Sequence, residues 1–156
     1  MEYSFCYPVF LKEINTEKIG FEDTKKIKEF IANVLDIDID DIDTMYYKKE
    51  GSSFEIKLKA EKGKKGFNYV IYVTIISNEK GKVVIEGKLL KTIEIGFFEY
   101  PSIIKNMFDE IFSISFYKDL ISICKEELEE ICKKLCDEIE IYIGIEESKK
   151  DYERSI

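Results

Sequence analysis

A chain of 156 residues, with 45% hydrophobic and 36% charged side chains, is long enough for one domain with its own core and needs no disulfide framework. It has no histidine, which removes Ser-His-Asp and Cys-His catalysis and histidine-bearing zinc sites, and leaves carboxylates, lysines, thiols and tyrosines for any chemistry. A net charge of −8 argues against nucleic acid as a partner, and no apolar run approaches the ~18 residues of a membrane span.

Residues 3–11, YSFCYPVFL, read as a first strand. Pro8 places that strand at a sheet edge or at a bulge, because proline has no N–H to give a ladder. Asn15, Thr16 and Gly20 mark the loop that follows. A helix is predicted from about Glu22 to Leu35, with Ile27, Phe30, Ile31, Val34 and Leu35 on one side and Asp23 or Thr24 as its cap. The acidic run Asp36-Ile-Asp-Ile-Asp-Asp-Ile-Asp43 comes next. Met45-Tyr46-Tyr47 then begins a short strand leading to Gly51.

The stretch from Ser53 to Phe98 is the clearest part of the chain. Phe54, Ile56, Leu58 and Ala60 alternate with Glu55, Lys57, Lys59 and Glu61. After Gly63-Lys-Lys-Gly66, the apolar set is Phe67, Tyr69, Ile71, Val73 and Ile75. After Asn78-Glu-Lys-Gly81, it is Val83, Ile85, Gly87 and Leu89. Period-two alternation broken by short glycine loops predicts an antiparallel meander with one face buried. The last strand runs from Lys82 to Phe98, with a bulge expected near Gly87 or Leu89-Leu90.

Pro101 suits the first turn of a helix whose apolar side is Ile103, Ile104, Met107, Phe108, Ile111 and Phe112. A second helix starts near Phe116, and its stripe is Tyr117, Leu120, Ile121, Cys124, Leu128, Ile131, Cys132 and Leu135. In residues 139–145, Ile139, Ile141, Ile143 and Ile145 alternate with Glu140, Tyr142 and Gly144. That is a strand pattern, although Ile139 and Tyr142 also extend the helical stripe, and the leaning is towards a short terminal strand. Residues 148–156 read as a polar, frayed tail beyond a single domain at 1–147.

The fold class is therefore α+β: an antiparallel meander of four to six strands, with one helix in the N-terminal half and two C-terminal helices packed on it. The order of elements is similar to the helix-grip arrangement, in which a curved sheet wraps a long C-terminal helix. It is also loosely like the SecB chaperone layout. Both likenesses lie in element order alone.

For function, residues 1–47 carry 5 basic and 11 acidic side chains, residues 48–100 carry 11 and 7, and residues 101–156 carry 8 and 14. The plain reading is solvated acidic helices beside a lysine-bearing sheet; the sharper one is an acidic surface for a basic partner. Asp36, Asp38, Asp40, Asp41 and Asp43 are the candidate acidic contacts. They are no EF-hand, which would need glycine at Asp41 and glutamate at Tyr47. The three C-terminal cysteines, Cys124, Cys132 and Cys136, continue an apolar stripe and read as small core residues; a zinc site would need Cys6 as a fourth ligand and lacks the usual tight C-x₂-C pairing. The loop at Gly63–Gly66 reads as a turn, because a strand and not a helix follows it.

Tyr72, with Val70 and Ile76, lies on the nominally outer face. Phe97, Phe98 and Tyr100 are bulky at a strand end. These suggest a sheet covered on both sides, and so self-association or a hydrophobic ligand. The leading expectation is a non-enzymatic binding or assembly protein that takes a hydrophobic ligand, a peptide or a second subunit, with possible homo-oligomers. An acidic inhibitor docking on a basic protein is the alternative, and a carboxylate-based enzyme is the third. No cofactor, metal, nucleic acid or membrane partner is expected. Glu2 stands where an export signal would carry basic residues, so reduced thiols and a cytoplasmic location are expected.

Overall fold

A computed structural model describes residues 2–94 and 115–155. Five strands form one antiparallel sheet: β1 (Glu2–Thr16), β2 (Asp43–Glu50), β3 (Ser53–Lys64), β4 (Phe67–Ser77) and β5 (Gly81–Glu94). Their order across the sheet is β1-β5-β4-β3-β2, so the first two strands of the sequence are its two edges. Helix α1 (Asp23–Leu35) and a 3-10 turn (Ile39–Asp41) cross from one edge to the other, and helix α2 (Ser115–Ser155) is the last described element.

The alternation in the sequence becomes a two-faced sheet. Phe54, Ile56, Leu58 and Ala60 of β3, Tyr69, Ile71, Val73 and Ile75 of β4, and Val83, Ile85 and Leu89 of β5 are all buried on the face that carries the helices. Each fully buried aliphatic side chain contributes about 1.5–3 kcal/mol. A 13-residue helix is marginal by itself, so Ile27, Ile31 and Leu35 buried in that layer are what hold α1. The β3–β4 connection is a two-residue loop, with Lys64 paired to Phe67 and both Lys65 (φ 55°) and Gly66 (φ 81°) left-handed. That is the hairpin turn whose twist matches the flanking strands.

Helix α2 lies on the same face. Cys124, Leu128, Cys132, Leu135, Cys136, Ile139 and Ile143 form its buried stripe. Cys132 sits directly over Gly87 of β5. A methyl group added at Gly87 would stand 2.6 Å from the Cys132 sulfur, 3.4 Å from Phe10 Cβ and 3.7 Å from Leu128 Cγ. The bare glycine backbone is what lets the helix approach here.

Several expectations are corrected. Residues 139–145 are helical, not a terminal strand. Ile139 and Ile143 point inward while Ile141 (63% exposed) and Ile145 (50%) face water, and between them Tyr142 packs edge-on against Phe30 at 5.8 Å and donates to Asp23 at 2.6 Å. Contact with α1 thus fixes a helical phase that four alternating isoleucines left open. The backbone is helical through Ser155, across the stretch read as a tail. Strand β1 extends through Asn15 and Thr16, because Thr16 is buried and its hydroxyl donates to Glu147 of α2 at 2.6 Å. The bulge sits on β1 and not on β5: the register shifts between Pro8 and Phe10, opposite Lys88 and Gly87, while β4 and β5 pair without a break. Asp23 makes no side-chain cap for α1; its carboxylate instead accepts from the Gly20 N–H at 2.8 Å, before the helix. Two α-helices are described, and the helix read over Pro101–Phe112 lies outside the described residues.

Because Gly144 lies on α2 with open space where a side chain would go, Gly144→Ala should raise stability by about 0.5–1 kcal/mol in urea unfolding. A loss of stability would mean that residue 144 is not in a helix.

Candidate functional site

The acidic run is built around its isoleucines. Ile42 is buried, and Ile37 and Ile39 pack on the core from partly buried positions. The aspartates between them have structural work. Asp36 stops α1 in a left-handed conformation (φ 56°), with its N–H and that of Ile37 both returning to the Ala32 carbonyl. Lys62 Nζ donates to the Asp36 carbonyl at 3.0 Å and pairs with its carboxylate at 3.4 Å. Asp38 caps the 3-10 turn by accepting from the Asp40 N–H at 3.0 Å. Asp40 and Asp41 lie within that turn and Asp43 opens β2 opposite Lys59. Replacing Asp36 by glycine relieves the left-handed strain and gives up only an exposed ion pair. We expect Asp36→Gly to be neutral to about 1 kcal/mol stabilising in thermal or urea unfolding. A clear loss would show that the carboxylate matters for more than the helix stop.

Tyr72 stands on the face opposite the helices. Lys57 and Lys88 lie over its ring at 4.9 and 5.4 Å. The cross-strand row Asp43–Lys59–Tyr72–Glu86 alternates in charge around it and puts Asp43 about 10 Å from Tyr72. The other four aspartates do not share that row. Val70, on the same face as Tyr72, is fully buried; Tyr72 and Ile76 are half-buried. Phe97, Phe98 and Tyr100 lie outside the described residues.

A second polar cluster ties α2 to the β3–β4 turn. The Glu127 carboxylate accepts from Lys64, from Lys65 at 2.9 Å and from the Tyr69 hydroxyl at 3.0 Å. These donors, Lys64 foremost, hold the Glu127 carboxyl down at about 2, well below the usual carboxylate range. Tyr69 is fully buried, and burial together with its contacts to Cys124 and Glu127 pushes its hydroxyl well above the ordinary tyrosine value. Glu127 is thus engaged within the fold. Beside the turn, Gly63–Asn68 and Leu90 line an open depression of about 390 Å³. Lys91 donates to the Gly66 carbonyl at 2.6 Å on its rim.

Among the described residues the thiols form no metal-binding arrangement. Cys124, Cys132 and Cys136 are buried and Cys6 is exposed, and among the described residues no three cysteines and carboxylates converge as metal ligands. Burial pushes Cys132 up to about 12 and Cys136 up to about 11, so both stay protonated and unreactive at neutral pH.

The surface that sequence reasoning missed lies along β2. Phe21 (55% exposed), Met45 (52%) and Tyr47 (46%) are large apolar side chains open to water. Phe21 meets Tyr47 edge-on at 5.4 Å and Phe54 at 5.8 Å. Met45 is the extra residue where the β2–β3 register shifts, and β2 has no neighbour on its other side among the described residues. Phe21 belongs to no periodic pattern, so nothing in the sequence joins it to Tyr47 across the whole of α1.

Compared with protein-family models and with curated proteins, the chain matches none. No described helix is long and apolar enough to cross a membrane.

Proposed function

We propose that this chain is a non-enzymatic binding or assembly protein and that its contact surface is the open edge of β2 with Phe21, Met45 and Tyr47. The observation that carries the reading is the contact between two exposed aromatics, Phe21 and Tyr47, with exposed Met45 two residues before Tyr47, on a strand whose other side has no neighbour among the described residues. Water-exposed aromatics that cluster, unlike scattered ones, mark contact surfaces. The polar clusters elsewhere support it from the other side. Glu127, Asp23 and Asp36 are engaged in holding elements together, and the thiols of α2 are buried. The contact of Cys132 with Gly87 seats α2 directly on β5, which favours an outer surface over a ligand space at that point.

Native mass spectrometry of the protein taken from its cells tests this. The wild type should carry a bound protein, a second subunit or a small molecule, and the Phe21→Ser/Tyr47→Ser variant should lose it while keeping its circular dichroism. A bare monomer in both, or an unchanged complex in the variant, would refute the surface.

A further inference from the structure

We infer that the β2 edge takes an extended acidic strand of a partner protein, in preference to a second copy of this chain. This rests on the binding reading above and names the partner's chemistry.

The two edges of the sheet are not equivalent. On β1, Pro8 has no N–H to offer and the register breaks between Pro8 and Phe10, two features that blunt an edge against pairing. On β2, residues 46–50 pair in unbroken register with β3, and their other side has no partner strand among the described residues. An incoming strand adds its backbone hydrogen bonds there and is selected by alternate side chains. On the helix-bearing face those alternate residues are Tyr47, opposite Ile56, and Lys49, opposite Phe54. The Phe21 ring stands against Tyr47, so a residue docking beside Tyr47 meets an apolar surface. Lys49 is exposed and makes no ion pair among the described residues. Lys48, on the other face, is opposite Glu55 and already lies over the Tyr46 ring at 4.9 Å. The matching strand therefore has an acidic residue two positions from a large apolar one, both on the same face.

Self-pairing fits poorly. A two-fold antiparallel pairing centred on Lys48 sets Lys48 directly against its own copy, which is destabilising, and one centred on Lys49 does the same to Lys49 while setting Lys48 opposite Glu50. One centred on Tyr46 or Tyr47 runs each strand into the Met45 bulge of the other. Lys49, which repels its own copy, attracts an acidic side chain on an incoming strand, so attraction and repulsion select in one direction.

The test uses the full chain, labelled with ¹⁵N, and two short synthetic peptides. One alternates Glu and Thr around a central Phe; its twin has Lys in place of each Glu. The acidic peptide should shift the amides of Thr44–Glu50 and should bind about two- to fivefold more weakly to Lys49→Glu, which should in turn favour the basic twin. Light scattering should give the mass of a monomer for the free chain. Equal binding of both peptides at β2 would overturn the acidic partner yet leave the contact surface standing. A dimer lost in Tyr47→Ser would overturn the choice of partner and support the surface. No shift in β2 with either peptide would overturn the edge as a docking site, and the mass measurement above would then decide the broader reading on its own.

Discussion

Gly87→Ala should destabilise the protein by about 1–3 kcal/mol, measured by urea unfolding, and Cys132→Ala added to it should recover part of the loss. The added methyl would stand 2.6 Å from the Cys132 sulfur, so the helix or the sheet must move. Overpacking of this kind typically costs that much. Cys132→Ala alone removes a buried sulfur and should also destabilise, through the cavity it leaves. The double variant should then be more stable than the sum of the single effects predicts, because the second change removes the atom that the first one meets. A coupling of about 0.5 kcal/mol or more is expected for residues in contact. Strict additivity would mean that α2 does not rest on β5 at this point, and the packing of the whole layer would have to be revised.

Glu127→Gln should weaken the fold at neutral pH and flatten its acid sensitivity. The folded value of Glu127 is about 2 against an ordinary 4.5, so the folded state favours the ionised form. The stability this brings is present in full above 4.5 and is lost as pH falls from 4.5 towards 2. Lys64 and Lys65 are partly exposed, so solvent screening reduces the effect, and about 1–2 kcal/mol is expected. Melting temperature followed from neutral pH downwards should fall more steeply for the wild type than for Glu127→Gln. Parallel curves would show that the carboxylate does not hold the turn. The amide can still accept the Tyr69 hydroxyl, which separates the loss of charge from the loss of that buried hydrogen bond.

The meander was legible because each of its strands buries one face and wets the other, and period two follows directly. Pro8 likewise signalled an edge or a bulge, and β1 has both. Residues 139–145 were not legible. Alternating isoleucines fit a strand and a helix stripe equally, and the deciding contacts of Tyr142 with Phe30 and Asp23 belong to a distant element. The site was read less well than the fold. The aspartates drew attention as a group, yet Asp36 and Asp38 act one at a time on local backbone. The aromatic edge is assembled only when α1 carries the chain across the sheet, so Phe21 and Tyr47 share no sequence pattern.

The strand order sets the sequence of events in building the molecule. β1 is made first, yet its hydrogen-bonding partner is β5, the last strand of the meander. During synthesis β1, rich in aromatics, must therefore wait for its strand partner until residues 81–94 emerge. Closing so long a loop is entropically costly and slow. Pro8 and the kink beside it then serve a second purpose: they keep an early, sticky segment from finding the wrong companion during that delay.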